Sequence, residues 1–390
     1  RAGMKRWRAT YRASLVYAAA AMLALAAGPA FAVSLEEAIR IALKTNPGVG
    51  VVLEDRRAVN QELVQARSAY LPTVDVRVAR GIERVNNPTS RGREGTEVDG
   101  HSVQLPRTDS SLTIRQLLFD GFDTQSQVER QLARVRSAAR RVRETSEFTA
   151  LDAIETYLES TRLREVVALS FENIKVHEEF VELIKVQVEG GAAGKADLDQ
   201  AEGRLAGARD GLAVTEGELR DADAKYRRVV GEDAIRLRRP IIPDDALPST
   251  VVKAIAFAIK FNPTIHVARS DIDIAKAELA ATGASFWPNF AIEMAANSNR
   301  NTGGTRGQDT SMSALLVMNY SLYRGGGDIA RRREFVSRLA EARQRLNQTI
   351  RGSEETTRLS WSALLSARDR LTQLRAVVQA NENVKDSFKK

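Results

Sequence analysis

The sequence predicts a mainly α-helical protein with transmembrane β-strands, built as two copies of one pattern. Three observations carry that expectation. Residues recur at a fixed offset along the 390-residue chain. Two places in each copy switch from helical to strict two-residue periodicity. From Asp123 to Glu189 the chain runs without a Gly or Pro, enough for about 100 Å of helix at 1.5 Å per residue.

The duplication sets the order of elements. Leu35, Ala38, Ile39, Ala42, Leu43, Asn46 and Pro47 return 216 positions later as Val251, Ala254, Ile255, Ala258, Ile259, Asn262 and Pro263. Pro72 matches Pro288 at the same offset. Farther on the offset falls to 204, where Ile114, Gln116, Leu118, Phe119 and Gly121 meet Met318, Tyr320, Leu322, Tyr323 and Gly325. Tyr157 and Val167 then pair with Trp361 and Leu371. Twelve residues are therefore missing from the second copy, and the loop after its first strand is the expected place. The resulting division is a leader over 1–32, a first repeat over 33–231, a Pro-containing linker over 232–248 and a second repeat over 249–390.

The leader reads as a secretion signal. Lys5, Arg6, Arg8 and Arg12 precede an apolar run from Ser14 to Ala27, and Ala30-Phe31-Ala32 supplies a small-x-small cleavage site. The mature chain is expected to start near Val33, with Arg1 to Gly3 as over-extended translation ahead of Met4. The run is shorter than the ~20 apolar residues of a spanning helix. Of the formal charge of +8, five basic groups fall in the leader, leaving +3. That small excess, on segments that also carry Glu, describes a solvated helix face and gives no reason to expect nucleic acid.

Ser34 with Glu37 forms a capping box, and Asn46-Pro47 is an N-cap followed by proline at the first helical position. A short helix is expected to end near Thr45 and a second near Leu71. Beyond Pro72, Val74, Val76 and Val78 alternate with Asp75, Arg77 and Ala79. In the second repeat Phe290, Ile292 and Met294 alternate with Ala291, Glu293 and Ala295. Polar stretches, 81–109 and 298–309, are expected to be loops, followed by return strands marked by Leu112, Ile114 and Leu118 and by Met312, Ala314, Leu316, Met318, Tyr320 and Leu322. Strands of about ten residues with one apolar and one polar side suit a membrane barrel. Val74, Val76, Phe290, Ile292 and Leu316 are then expected to face lipid, and Asp75, Arg77, Glu293 and Asn319 to face a lumen.

After the long helix, Gly190, Gly191 and Gly194 mark a turn. Leu198, Ala201, Leu205, Ala208, Leu212, Thr215, Leu219, Ala222, Tyr226 and Val229 follow at alternating spacings of three and four, the seam of a coiled coil. The returning helix, at roughly 50 Å, covers half its partner. The segment Ser34 to Leu71, roughly 57 Å long, is expected to stack on its end and cover the remainder.

Catalytic patterns fail on spacing. His101, His177 and His266 lie far apart, and His177-Glu178-Glu179 meets Val181 where a zincin helix needs its second His. In Gly190 to Ala196, Glu189 stands where a phosphate loop needs its first Gly, and Ala196 where it needs Ser or Thr. Without cysteine there is no thiolate site or disulfide. The chain is expected to be no enzyme and to hold no cofactor or metal.

Given twice, the order short helix, strand, loop, strand, long helix, Gly-rich tip and return helix resembles the TolC-like outer-membrane factors over nearly the whole mature chain. The motifs that carry the likeness are Gln116-Leu117-Leu118-Phe119-Asp120-Gly121-Phe122 and Gly194-Lys195-Ala196-Asp197-Leu198-Asp199-Gln200-Ala201-Glu202-Gly203-Arg204-Leu205. The second is most similar to the type I secretion branch, which exports proteins, and less similar to drug-efflux members. The resemblance implies a homotrimer with a β-barrel in the outer membrane of a Gram-negative bacterium and an α-helical barrel in the periplasm. It also implies a periplasmic adaptor whose inner-membrane ABC transporter supplies energy, docked at a tip formed by Gly190, Gly191, Ala192, Ala193, Gly194, Lys195 and Asp197. Four strands cannot close a membrane barrel, whose smallest form has eight. Two copies give eight and three give twelve, and the resemblance selects three.

At an offset of 204 a second tip is due near position 394, past Lys390. The second long helix is therefore expected to lack a pairing partner, to expose its apolar seam and to leave the chain as given unable to build a stable channel. A periplasmic coiled-coil adaptor or scaffold is the alternative from another class. The duplicated strand pairs argue against it.

Overall fold

The computed structural model describes residues 33–86, 97–98, 102–241 and 247–388. The secretion leader, His101 and Pro243 lie outside the described residues. In chain order the elements are α1 (Leu35–Thr45), α2 (Pro47–Ser68), β1 (Thr73–Val85), β2 (Glu97–Val98), β3 (Ser102–Phe119), α3 (Asp123–Glu189) and α4 (Lys195–Val230). The second repeat supplies α5 (Val251–Phe261), α6 (Pro263–Ala281), β4 (Asn289–Arg300), β5 (Gln308–Asn319) and α7 (Gly327–Phe388), with a 3₁₀ turn at Ala284–Phe286.

Compactness divides the chain differently from its repeats. One unit comprises 1–50 and 146–245, the other 51–145 and 246–390. Strands from both repeats join in one antiparallel sheet of order β1-β3-β4-β5, with β2 paired to β3, so the second unit draws on both copies. Backbone pairing ignores repeat boundaries because it needs only an adjacent strand in register.

Within the first unit α4 returns along α3. Tyr157 stacks beside Tyr226 with ring centroids 6.4 Å apart, Arg164 bonds Asp223 at 2.9 Å, and Arg209 bonds Glu178 at 2.8 Å. The seam read from the sequence is the covered face of α4, and Ala201, Ala222, Tyr226 and Val229 are buried. On α3 the facing positions are Ala153, Tyr157, Ser160 and Leu163, all buried, then Val167, Ser170, Ile174 and His177, partly covered. Small residues, Ala153, Ser160 and Ser170, stand at three of these eight places.

The core of this unit gathers Ala38, Ala42, Ala153, Tyr157, Tyr226, Val229, Val230 and Ala234. Burying a side chain such as that of Val229 or Val230 contributes about 1.5–3 kcal/mol. The single Tyr157 hydroxyl proton is shared between the carbonyls of Val33, at 2.8 Å, and Arg238, tying the start of the described chain to the segment after α4. Val33 and Leu237 form a parallel bridge, so this stretch of the linker is packed structure. Burial raises the Tyr157 hydroxyl above its usual value. It pushes Tyr226 up to about 12, with Tyr157 and Glu232 adding to the effect.

Two expectations need correction. The segment α1 lies against α4 instead of lengthening a stack, with Ala38 and Ala42 buried. Asn46 has extended backbone (φ −66, ψ 122) and breaks the helix, while Thr45 and Asn46 donate to the carbonyls of Val230 and Val229 that end α4. The strands also outrun their apolar stretches. Residues 81–85, 102–109 and 298–300, expected in loops, are paired strand. The tyrosine and leucine at 320 and 322 lie beyond β5. Main-chain hydrogen bonds continue the ladder where polar and apolar side chains are mixed on both faces, and the two-residue hydrophobic signal weakens there.

Candidate functional site: sheet faces and helical tip

Register fixes which side chains share a face. Val74, Ile114, Met294 and Ala314 form one cross-strand row, and Val76, Leu112, Ala296 and Met312 the next. Ile292 sits opposite Leu316, and Phe290 opposite Met318. This even-numbered face is apolar and uncovered, with Val76 73% and Leu316 68% exposed. The odd-numbered face carries Asp75 opposite Thr113, Arg77 opposite Ser111, Asn297 opposite Ser311 and Asn289 opposite Asn319. Glu293 pairs there with Arg115 at 3.4 Å. Thus the five apolar candidates, Val74, Val76, Phe290, Ile292 and Leu316, fall on one face, and Asp75, Arg77, Glu293 and Asn319 on the other.

The motif from Gln116 to Phe122 forms the junction between sheet and helix. Gln116 donates to the Tyr70 carbonyl at 3.0 Å. A bulge between Leu117 and Phe119 moves Phe119 onto the apolar face beside Phe290. Asp120 accepts from the Thr124 amide at 2.8 Å and from its hydroxyl, capping the start of α3. Gly121 has φ +69, and a Cβ there would stand 2.7 Å from Trp287 Cβ and 2.8 Å from the Ala284 carbonyl, so only glycine fits. Phe119 meets Phe122 and Trp287 edge to face at 5.3 and 6.5 Å. This aromatic group at the helix-proximal end of the sheet resembles the girdle of a membrane barrel. It escaped sequence reading because Phe122 and Trp287 come together only through β3–β4 pairing across repeats.

Between α3 and α4 the tip is a compact turn. Gly190 donates to the Val186 carbonyl at 3.0 Å, and Ala192 to that of Gln187 at 2.8 Å. Gly191 reverses the chain at φ +76. Asp197 accepts from the Gly194 amide at 2.9 Å, capping α4. Thus Gly191 and Asp197 hold the turn, while Gly190, Ala192, Gly194 and Lys195 present an exposed surface and Ala193 a half-buried one. Among the described residues no group of three His, Cys, Asp or Glu could hold a metal, and no single helix is long and apolar enough to cross a membrane.

The model of the outer membrane efflux protein family matches residues 38–232. The chain belongs to that family. An outer membrane efflux protein of Brucella suis, BepC, is 24% identical over 338 residues, covering 86% of this chain and 70% of the relative. The alkaline protease secretion protein AprF of Pseudomonas aeruginosa is 23% identical over 359 residues, covering 88% and 72%. The solved outer-membrane channel OprN shares the fold, with a TM-score of 0.71 at 17% identity over 87% of this chain and 76% of that one. This outer membrane efflux protein is accordingly a channel of the outer membrane with a helical part in the periplasm. Its strands belong to the membrane part.

Proposed function

We propose that three copies assemble into a passive conduit for type I protein secretion, fed by a periplasmic adaptor and an inner-membrane ABC transporter. The observation that carries the assembly is the open sheet of order β1-β3-β4-β5, whose outer strands β1 and β5 each have, among the described residues, one unpaired edge. An edge buried in lipid without partners costs several kcal/mol per unsatisfied group, so closure between copies is required. Because β1 and β5 run in opposite directions, β5 of one copy meets β1 of the next antiparallel, and three copies make twelve strands. The even-numbered face then meets lipid, and Asp75, Arg77, Glu293 and Asn319 line the lumen. Val76→Arg should cost about 2–4 kcal/mol at mid-membrane depth, while Arg77→Val should assemble. Equal insertion of both in a folding assay would reject this facing.

Protein cargo is supported by the resemblance of the segment from Gly194 to Leu205 and by the relative named for alkaline protease secretion. Small-molecule efflux is the second reading, favoured by the relative named as an efflux protein. Deleting the gene separates them: a lost secreted protein supports the first, and gained sensitivity to toxic compounds the second. Docking is assigned to the tip from Gly190 to Asp197. Ala192→Asp with Ala193→Asp leaves Gly191 and the Asp197 cap intact while placing charge on the contact. The double variant should form outer-membrane trimers that neither secrete nor crosslink to the adaptor. Persistent secretion, or loss of the trimer itself, removes the support for docking here.

A further inference from the structure

The seven residues joining β4 to β5, 301–307, fold back over the sheet instead of continuing away from it. Asn301 closes the loop, donating its amide to the Gly307 carbonyl at 2.9 Å and accepting the Gly307 amide at 3.1 Å. Its side chain donates to the Pro106 carbonyl on β3 at 2.8 Å. The next contact lies one strand farther, where the Gly303 amide donates to Glu83 Oε2 on β1 at 2.9 Å. Glu83 Oε1 is held by Arg107, and Arg107 is held in turn by Asp109 through two bonds of 2.8 and 2.9 Å. The loop thus crosses β3 and anchors two strands from its origin.

The side it crosses is decided by register. Pairing of β1 with β3 is unbroken from Thr73 to Val85, so Glu83 projects from the same face as Asp75 and Arg77. At this end of the face Val103 and Leu105 are buried, each 4% exposed, whereas Asp75 and Arg77 near the helices are open. Gly304 is buried as well, and the Thr302 hydroxyl is buried without a hydrogen-bond partner. Thr302 Oγ1 and Gly304 are thus shielded from solvent.

We propose that Glu83, Arg107 and the loop 301–307 form a constriction at the outer mouth of the channel, setting the size of what can leave. The proposal rests on the assignment of the odd-numbered face to the lumen. Since β1 runs outward from the periplasmic helices, Glu83 stands at its external end. Three copies of the loop, each folded inward, then narrow one opening. Glu83 ties the middle of the loop to β1, while Asn301 and Gly307 close its base.

The absence of cysteine makes the test clean. Intact cells carrying Ser313→Cys, on the odd-numbered face below the loop, or Ala314→Cys, on the other face, are treated externally with maleimides of increasing size. The small aqueous reagent should label Ser313→Cys and spare Ala314→Cys. A polymer-linked maleimide should label Ser313→Cys slowly with the native loop. Labelling should become several-fold faster after Glu83→Ala or after replacing 301–307 by Asn-Gly, a two-residue turn that the Arg300–Gln308 pairing accommodates. If the small reagent does not distinguish 313 from 314, the facing assignment fails. If it does, and the bulky reagent reacts equally fast in all three backgrounds, the constriction is overturned.

Discussion

Asn46 and Asn262 hold the same place in the two repeats, yet their side-chain amides have different partners. Asn46 donates to the Val229 carbonyl at the end of α4, whereas Asn262 donates to Ser353 on α7 at 3.2 Å. The surroundings differ in the same sense. Ala38 and Ala42 of α1 are fully buried, but α5, which carries the matching Ala254 and Ala258, has no buried residue. Val167, Ser170 and Ile174 are partly covered by α4, while their counterparts Leu371, Leu374 and Val378 are 48%, 49% and 57% exposed. Among the described residues no helix lies against that part of α7. One pattern of small and apolar residues becomes a core in one repeat and a bare face in the other, so an apolar stripe records a requirement for a partner.

That contrast can be broken by matched substitutions, read by hydrogen exchange on the detergent-solubilised protein. The largest difference is expected at the aromatic pair. Tyr157→Ala removes a fully buried ring and should cost about 3–5 kcal/mol, collapsing protection in α4. Trp361→Ala, at the half-covered counterpart, should cost far less. Equal losses would mean that the second site is as well packed as the first.

Next come the helix contacts. Ala42→Leu forces a side chain into a closed core and should cost about 1–3 kcal/mol, while Ala258→Leu, at a half-covered position, should cost less. Glycines give a smaller and opposite pair. Gly231 ends α4 at φ +89, with a Cβ position 3.0 Å from Thr45 Oγ1, so Gly231→Ala should lose about 1–2 kcal/mol. Gly352 sits inside α7 with nothing within 4 Å, and Gly352→Ala should gain about 0.5–1 kcal/mol. A loss at Gly352 would reveal a partner closing on that face.

The smallest effect is a pH dependence confined to the first repeat. Tyr226 keeps its proton up to about 12 in the folded chain, against about 10 for a free tyrosine. Below the unfolded value its contribution is fully present. It declines as pH rises from there through the folded value, because the unfolded chain releases the proton first. Protection of α4 should fall over that interval, and Tyr226→Phe should flatten the decline. An unchanged profile in Tyr226→Phe would assign the loss to another group.

The sequence by itself determined the repeat, the helix limits at Asp123 and Glu189, the seam of α4 and the division of strand residues between two faces. These are local periodicities, written wherever a side chain must alternate between environments every two or every three to four residues. Only the tertiary structure decided that α1 leaves the stack, that the ladder runs on into polar segments, that Phe119, Phe122 and Trp287 meet, and that the loop after β4 reaches Glu83. Each of those depends on residues brought together from distant parts of the chain. Main-chain hydrogen bonding and the closing of one element over another leave no period in the sequence to read.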